Sequence, residues 1–406
     1  MRSIGRFLAI SLLVAATACG DDDGGDTSDD ADDTDDGTTD DGADDGVDAG
    51  GACEPAAWAA PDFEANAEAA LALRTQLDAL AGGEGLMRGA EQELKGSEVD
   101  DVSDLTAVYE AGDPVLASIV TERYDALMAD AFADFVALAA ASAVDVINDE
   151  GGWDPGAAGG LAGSSPRGIN AGGLEIRQLA DKGLFGGAGL YAHALTLTEA
   201  EITPATIDAL AAAWGANEAL GTGDGELTDA ANYSFQMGFH ATMAEALGAA
   251  KAAAADDACA AERDEAIVTF FRAWEQSMVA RTIYYANAAA ALIAGAPKGP
   301  DGDEDKIDAL HELSEGIGLT LGLLGLPDPA AGPLSGAGRL LSDEDVEVMM
   351  TALGVDIVDL SESLTGTFVE EAALLTTGIA AFEATAIDVF GLSAEDIEAY
   401  RTPTEG

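Results

Sequence analysis

This chain predicts an all-α fold, a large helical bundle, and three observations carry the prediction. Apolar residues recur at three- and four-residue spacing from Phe63 onward, sustained two-residue alternation is absent, and breakers such as Thr203-Pro204 and the Gly221 to Gly225 turn punctuate runs of helical length. With 48% apolar residues in 406 there is ample material for a core. Only 6% are aromatic while Gly and Ala abound, so the helices must pack by close backbone approach rather than through large rings. The expectation is one bundle, or two packed four-helix-type bundles, over residues 53–406 after a polar N-terminal stretch.

That stretch has an order of its own. Arg2 and Arg6 precede an apolar run of about ten residues, Phe7 to Ala16, too short to span a bilayer, and Ala16-Thr17-Ala18-Cys19 follows. Bacterial lipoproteins resemble this pattern. It predicts a signal over 1–18, a mature chain starting at a lipidated Cys19, and a cell-envelope location with the membrane reached through the lipid. Gly20 in place of an aspartate after that cysteine favours the outer membrane. From Gly20 to Gly51 the residues are mainly Asp, Gly, Thr, Ser and Ala, fifteen of them aspartate, so residues 19–52 read as a disordered tether. Its extended limit is about 100 Å.

The formal charge is -59, from 76 acidic and 17 basic residues. Such a surface repels phosphate and has no basic patch to release counterions, which excludes nucleic acid as a partner. Acidity spread over the whole chain fits adaptation to salty surroundings; cation binding is the other reading. With Cys19 lipidated, Cys53 and Cys259 remain, and an even pair in an exported protein predicts a disulfide, the alternative being two free thiols.

The first predicted helix runs from Pro61 to Leu80, with Phe63, Ala67, Leu71, Leu73, Leu77 and Leu80 near helical spacing and Gly82-Gly83 as its stop. Asp113-Pro114 opens a second, through Tyr124, Phe132 and Phe135 to about Ile147. Residues 150–169, rich in Gly, Pro and Ser around Trp153, predict a surface excursion rather than a lid. Helices are expected at about 172–197, 204–219, 228–255 and 262–294. The run Asp301 to Asp305 suits the start of another, to about Leu324. Shorter ones follow at about 343–353, 366–385 and 394–402, where Ser342 with Asp345 and Ser393 with Asp396 read as capping boxes.

Two stretches carry a family resemblance. Gly173-Leu174-Glu175-Ile176-Arg177-Gln178, continuing through Lys182 and Gly183 to Ala188, and Ala309-Leu310-His311-Glu312-Leu313-Ser314-Glu315-Gly316-Ile317-Gly318 resemble an uncharacterised bacterial lipoprotein domain family, distantly imelysin-like. The similarity covers about 60 to 330 in order, and Arg263 to Asn287 resembles the helix preceding the second stretch. Imelysins are all-helical, double-bundle envelope proteins linked to iron and once proposed as peptidases, so the resemblance implies a helical bundle and, less directly, metal handling. Their G-x-H-x-x-E motif is broken here: Gly238 and His240 are in place, but Met243 stands where the glutamate belongs.

Three histidines exist, His193, His240 and His311, each within a predicted helix. If their helices face one another, the imidazoles with Glu175 and Glu315 form a site for a transition metal such as iron or zinc. His311 and Glu315, four apart, share one helix face. The alternative is that each histidine is separately a core or capping group and that Glu175 is a buried structural residue paired with an arginine. Asp301, Asp303, Asp305 and Glu312 have calcium-loop spacing, but Lys306 occupies the turn-glycine position, which favours helix capping. Catalytic signatures fail one by one. His311-Glu312 is followed by Glu315 where a zinc protease needs its second histidine, and Asp308 before His311 gives a di-iron half-motif once only. No Gly-x-Ser-x-Gly, Walker loop or dinucleotide fingerprint occurs. The chain therefore reads as a binding protein, of a metal or metal complex, or as an interaction protein without a small ligand, and not as an enzyme; a hydrolase is the remote third reading.

Overall fold

The longest helix organises the rest. The structure is a computed structural model that describes residues 53, 58–60, 62–93, 102–111, 115–140, 146–163, 166–220, 227–297, 302–327 and 339–403. The lipobox, the tether and Asp113-Pro114 lie outside those residues. In chain order the helices are α1 (Phe63–Ala81), α2 (Leu86–Glu93), α3 (Val102–Tyr109), α4 (Leu116–Ile119), α5 (Glu122–Ala140), α6 (Ile176–Lys182), α7 (Ala188–Leu197), α8 (Pro204–Trp214), α9 (Asp229–Gln236), α10 (His240–Ala253), α11 (Ala260–Gly295), α12 (Asp303–Gly322), α13 (Asp343–Ala352), α14 (Ala372–Phe390) and α15 (Ala394–Arg401). The fold class is all-α, as the periodicity predicts.

Thirty-six residues long, α11 packs against α9, α10, α12, α14 and α15. Its apolar residues spread round most of the circumference, so it is buried along much of its length, with Phe270, Phe271, Trp274, Met278 and Ile283 at its centre. On the N-terminal side α1 packs on α8, α7 and α3. Residues 50–406 form one compact unit rather than two bundles, with a main apolar core from Phe63 to Tyr400 and a smaller cluster that includes Ile147, Ile169 and Leu310. Cys53 and Cys259 are bonded, tying the domain's first described residue to the start of α11 across 206 positions.

The centre of α11 is built on large rings after all, Tyr191 stacking on Phe271 and Trp274 at 5.1 and 4.8 Å, and the close backbone approach that the composition predicts is found at another crossing. Where α12 crosses the chain after α6, a side-chain carbon at Gly322 would stand 2.6 Å from Gly183 O, and one at Gly318 2.8 Å from Gln178 O. Only hydrogen fits there, so the two backbones touch and the two stretches quoted for the family resemblance pack against each other. Gly183–Gly187 form one π-turn between α6 and α7. Such turns insert a residue into a helix and occur often beside functional sites.

Several expectations need correction. Residues 150–169 are not a surface excursion and not strand-free: Gly160–Ala162 (β1) pairs antiparallel with Arg167–Ile169 (β2), and Leu161, Ala162 and Ile169 are buried. Strands of three residues built on Gly and Ala are too short to show alternation. The second predicted helix breaks between α4 and α5, and Ile147 bridges Trp153 in extended form. The helix expected from 172 begins only at Ile176, because Gly173 has φ +91° and Asn170 Oδ1 accepts the Leu174 N–H. Gly238, φ +81°, splits 228–255 into α9 and α10. Thr365–Val369 form a 3-10 turn, so the helix expected at 366–385 is α14, starting at Ala372. Both serine capping boxes form as expected, at Ser342 and Ser393, and Thr203 caps α8 in the same way.

Candidate metal centre

The α6–α12 contact places Glu175 beside His311. Glu175 is the residue before α6, not a mid-helix residue; its N–H donates to Ser314 Oγ at 2.9 Å, pinning it to α12. Its fully buried carboxylate then meets the His311 ring, Oε2 to Nδ1 at 2.7 Å. Arg177 Nη2 donates to the other oxygen at 3.3 Å, and Arg167, from β2, lies 3.6 Å from Oε2. Burial alone would raise the Glu175 carboxyl, but the His311 hydrogen bond and charge and the two arginines outweigh it and hold it below the ordinary range. It is therefore ionised and accepts from Nδ1 of His311, which leaves Nε2 as the ring nitrogen not held by Glu175.

That nitrogen lies on the side of a further carboxylate. Nε2 of His311 lies 3.7 Å from Glu315 Oε1, and one ligand atom from each of His311, Glu312 and Glu315 fall within 4.8 Å of one another. This is the one such group among the described residues. A carboxylate that orients one ring nitrogen while the other faces donor oxygens is the arrangement metal-binding histidines use. Burial, then the charge of Glu315, raises the Glu312 carboxyl above its ordinary value. A divalent cation between the three would relieve that repulsion.

Cations already stand round the cluster. Lys182 Nζ is 3.0 Å from Asp181 and 3.4 Å from Glu315, Arg167 binds Asp308 at 3.0 Å, and Arg281 stacks over Tyr284 and Tyr285 at 4.3 and 4.4 Å from the ring centres. Behind Glu175 the chain of charges continues inward. Arg177 Nε donates to Glu91 at 2.9 Å, Arg88 reaches the same oxygen at 3.1 Å, and the Gly168 N–H donates to the other oxygen at 3.0 Å. Glu91, 1% exposed, has its carboxyl raised by burial first and then by the charge of Glu175, against the pull of Arg177.

The three histidines do not share this site. His240 starts α10, bonds through Nε2 to Leu220 O at 2.6 Å and stacks on Trp214, a capping and packing role. His193 is buried on α7 with no hydrogen-bond partner at either nitrogen, and burial, then the charge of Arg74, depresses its pKa, so it remains a neutral core residue. Of the candidates, Glu175, His311 and Glu315 converge. Asp303 and Asp305 lie in the first turn of α12, as helix capping requires, and Asp301 is outside the described residues. The sequence reading missed Glu91 with its helix. The signal was there in part: Met87 and Glu91 are four apart, so a carboxylate shares the apolar face of α2.

No protein-family model, curated protein or solved structure matches the chain.

Proposed function

We propose that this protein is a lipid-anchored envelope protein that binds a divalent transition metal, iron or zinc, through His311, Glu312 and Glu315, with Glu175 behind the histidine. The supporting observation is the convergence of His311, Glu312 and Glu315 within 4.8 Å of one another, with Glu175 holding the imidazole through Nδ1 at 2.7 Å. One nitrogen and two carboxylates suit a borderline metal, and three protein ligands leave positions open for water or a carried ligand. Metal titration of the purified protein tests this. One equivalent of Fe2+ or Zn2+ is expected, abolished by His311→Ala and weakened about 10- to 100-fold by Glu175→Gln.

A second reading has its own observation. Lys182, Arg167 and Arg177 already pair with Glu315 and Glu175, so the cluster can serve as a structural node of an interaction protein without any ion. Absence of stoichiometric metal, together with a large drop in melting temperature for His311→Ala, would favour it. Envelope location rests on the lipobox: mass spectrometry of the N-terminal peptide should find Cys19 acylated, and an intact cytosolic chain would refute it.

A further inference from the structure

A second polar site lies away from the histidine cluster. A cavity of about 540 Å³ opens between the segment 148–152, the C-terminus of α11, the first turns of α12, and the N-terminus of α14. The volume is in the range that takes a small organic ligand.

Lys306 lines it and is 8% exposed. Its ammonium donates to Gly151 O, and no carboxylate among the described residues reaches it at ion-pair distance. In a chain with 76 acidic residues, a buried lysine facing a cavity without an acidic partner is a place for a ligand's negative group.

Carboxylates line the same cavity, against the same 151–153 segment that Lys306 touches. Glu370 uses Oε1 to accept the Trp153 N–H at 3.0 Å, leaving Oε2 for another donor, and Glu150 joins it on the wall. The C-terminal carbonyls of α11 point the same way in charge. Ile293, Val369 and Ala294 supply apolar wall for a side chain. A ligand with only a carboxylate would meet two glutamates, and one with only an amine would meet Lys306. A ligand carrying both satisfies each side.

We propose that this cavity binds a small zwitterion of the amino-acid type with an apolar side chain, its carboxylate on Lys306 and its ammonium on Glu370. The site is independent of the metal reading. Calorimetric titration of the whole protein with L-leucine, 3-methylbutanoate and 3-methylbutylamine tests it. One-to-one binding of L-leucine is expected, with each singly charged analogue about tenfold weaker or more. Lys306→Met should weaken leucine by about tenfold or more. Ala294→Trp alters an exposed wall residue, so it should leave the melting temperature unchanged and close the cavity. No leucine binding, equal binding of either analogue, or full binding by the Ala294→Trp variant would each overturn the proposal.

Discussion

Glu275 is a single carboxylate set among Phe271, Trp274 and Met278 on the longest helix, and it is fully buried. It accepts the N–H groups of Leu340 and Leu341 at 2.6 and 3.1 Å, with Arg339 Nε at 3.9 Å and Arg272 and Tyr191 also nearby. Burial pushes its carboxyl up to about 7 against the pull of those N–H groups and Arg339. Between the ordinary glutamate range and pH 7 the folded protein therefore holds a proton that the unfolded chain releases. The stabilisation from this group is complete at low pH and is lost as pH rises through 7, about 3 kcal/mol over that window. Glu275→Gln should flatten the corresponding slope in urea-denaturation free energies measured from pH 4.5 to 8; an unchanged slope would show that Glu275 does not titrate there. At this scale the sequence was partly legible. His311 and Glu315 stood out as polar residues four apart on one helix face, and Glu175 through the stretch quoted for the family resemblance. Glu275 and Glu91 lie on helices too, but their partners, Leu340, Leu341 and Arg177, are far off in sequence.

Two glycines in helices give opposite expectations for one substitution. At Gly322 of α12 a methyl group meets Gly183 O at 2.6 Å and Gly183 Cα at 2.9 Å, both backbone, so α12 must lift from the π-turn. At Gly248 in α10 nothing lies within 4 Å. Gly248→Ala should gain up to about 1 kcal/mol from helix propensity, whereas Gly322→Ala should lose about 1–3 kcal/mol from overpacking despite the same gain. Urea midpoints of the two variants check this, and a stabilised Gly322→Ala would refute the contact. The same crossing explains what the sequence disclosed of the elements. Long helices such as α1, α11 and α12 were legible because several turns repeat one apolar spacing. The eight-residue α2 and α3 and the three-residue strands give too few turns or alternations to stand out, and the π-turn is stabilised by packing on α12 that no local pattern records.

For the whole molecule, -59 formal charge must be reconciled with a folded body. Fifteen of the 76 acids lie in Gly20 to Gly51. Of the acids among the described residues many lie on helix surfaces, where they outnumber the cations able to pair with them, so like charges repel across the compact state more than along an extended chain. Screening should relieve this. The Debye length is about 10 Å at 0.1 M salt and about 3 Å at 1 M, so repulsion between surface carboxylates fades over that range. The buried Glu91–Arg177–Glu175 chain is shielded from solvent and should change little. The urea midpoint should therefore rise steadily from low salt to 1 M NaCl. Comparison with calcium separates diffuse screening from specific cation sites. If CaCl2 at matched ionic strength raises the midpoint no further than NaCl, screening accounts for the effect and the acidity is adaptation to salt. A saturating rise at millimolar calcium, beyond the sodium curve, would instead mean that surface carboxylates are grouped into cation sites. A midpoint that is flat or falls with NaCl would show that surface ion pairs such as Arg123–Glu347 and Arg401–Glu398 already offset the repulsion.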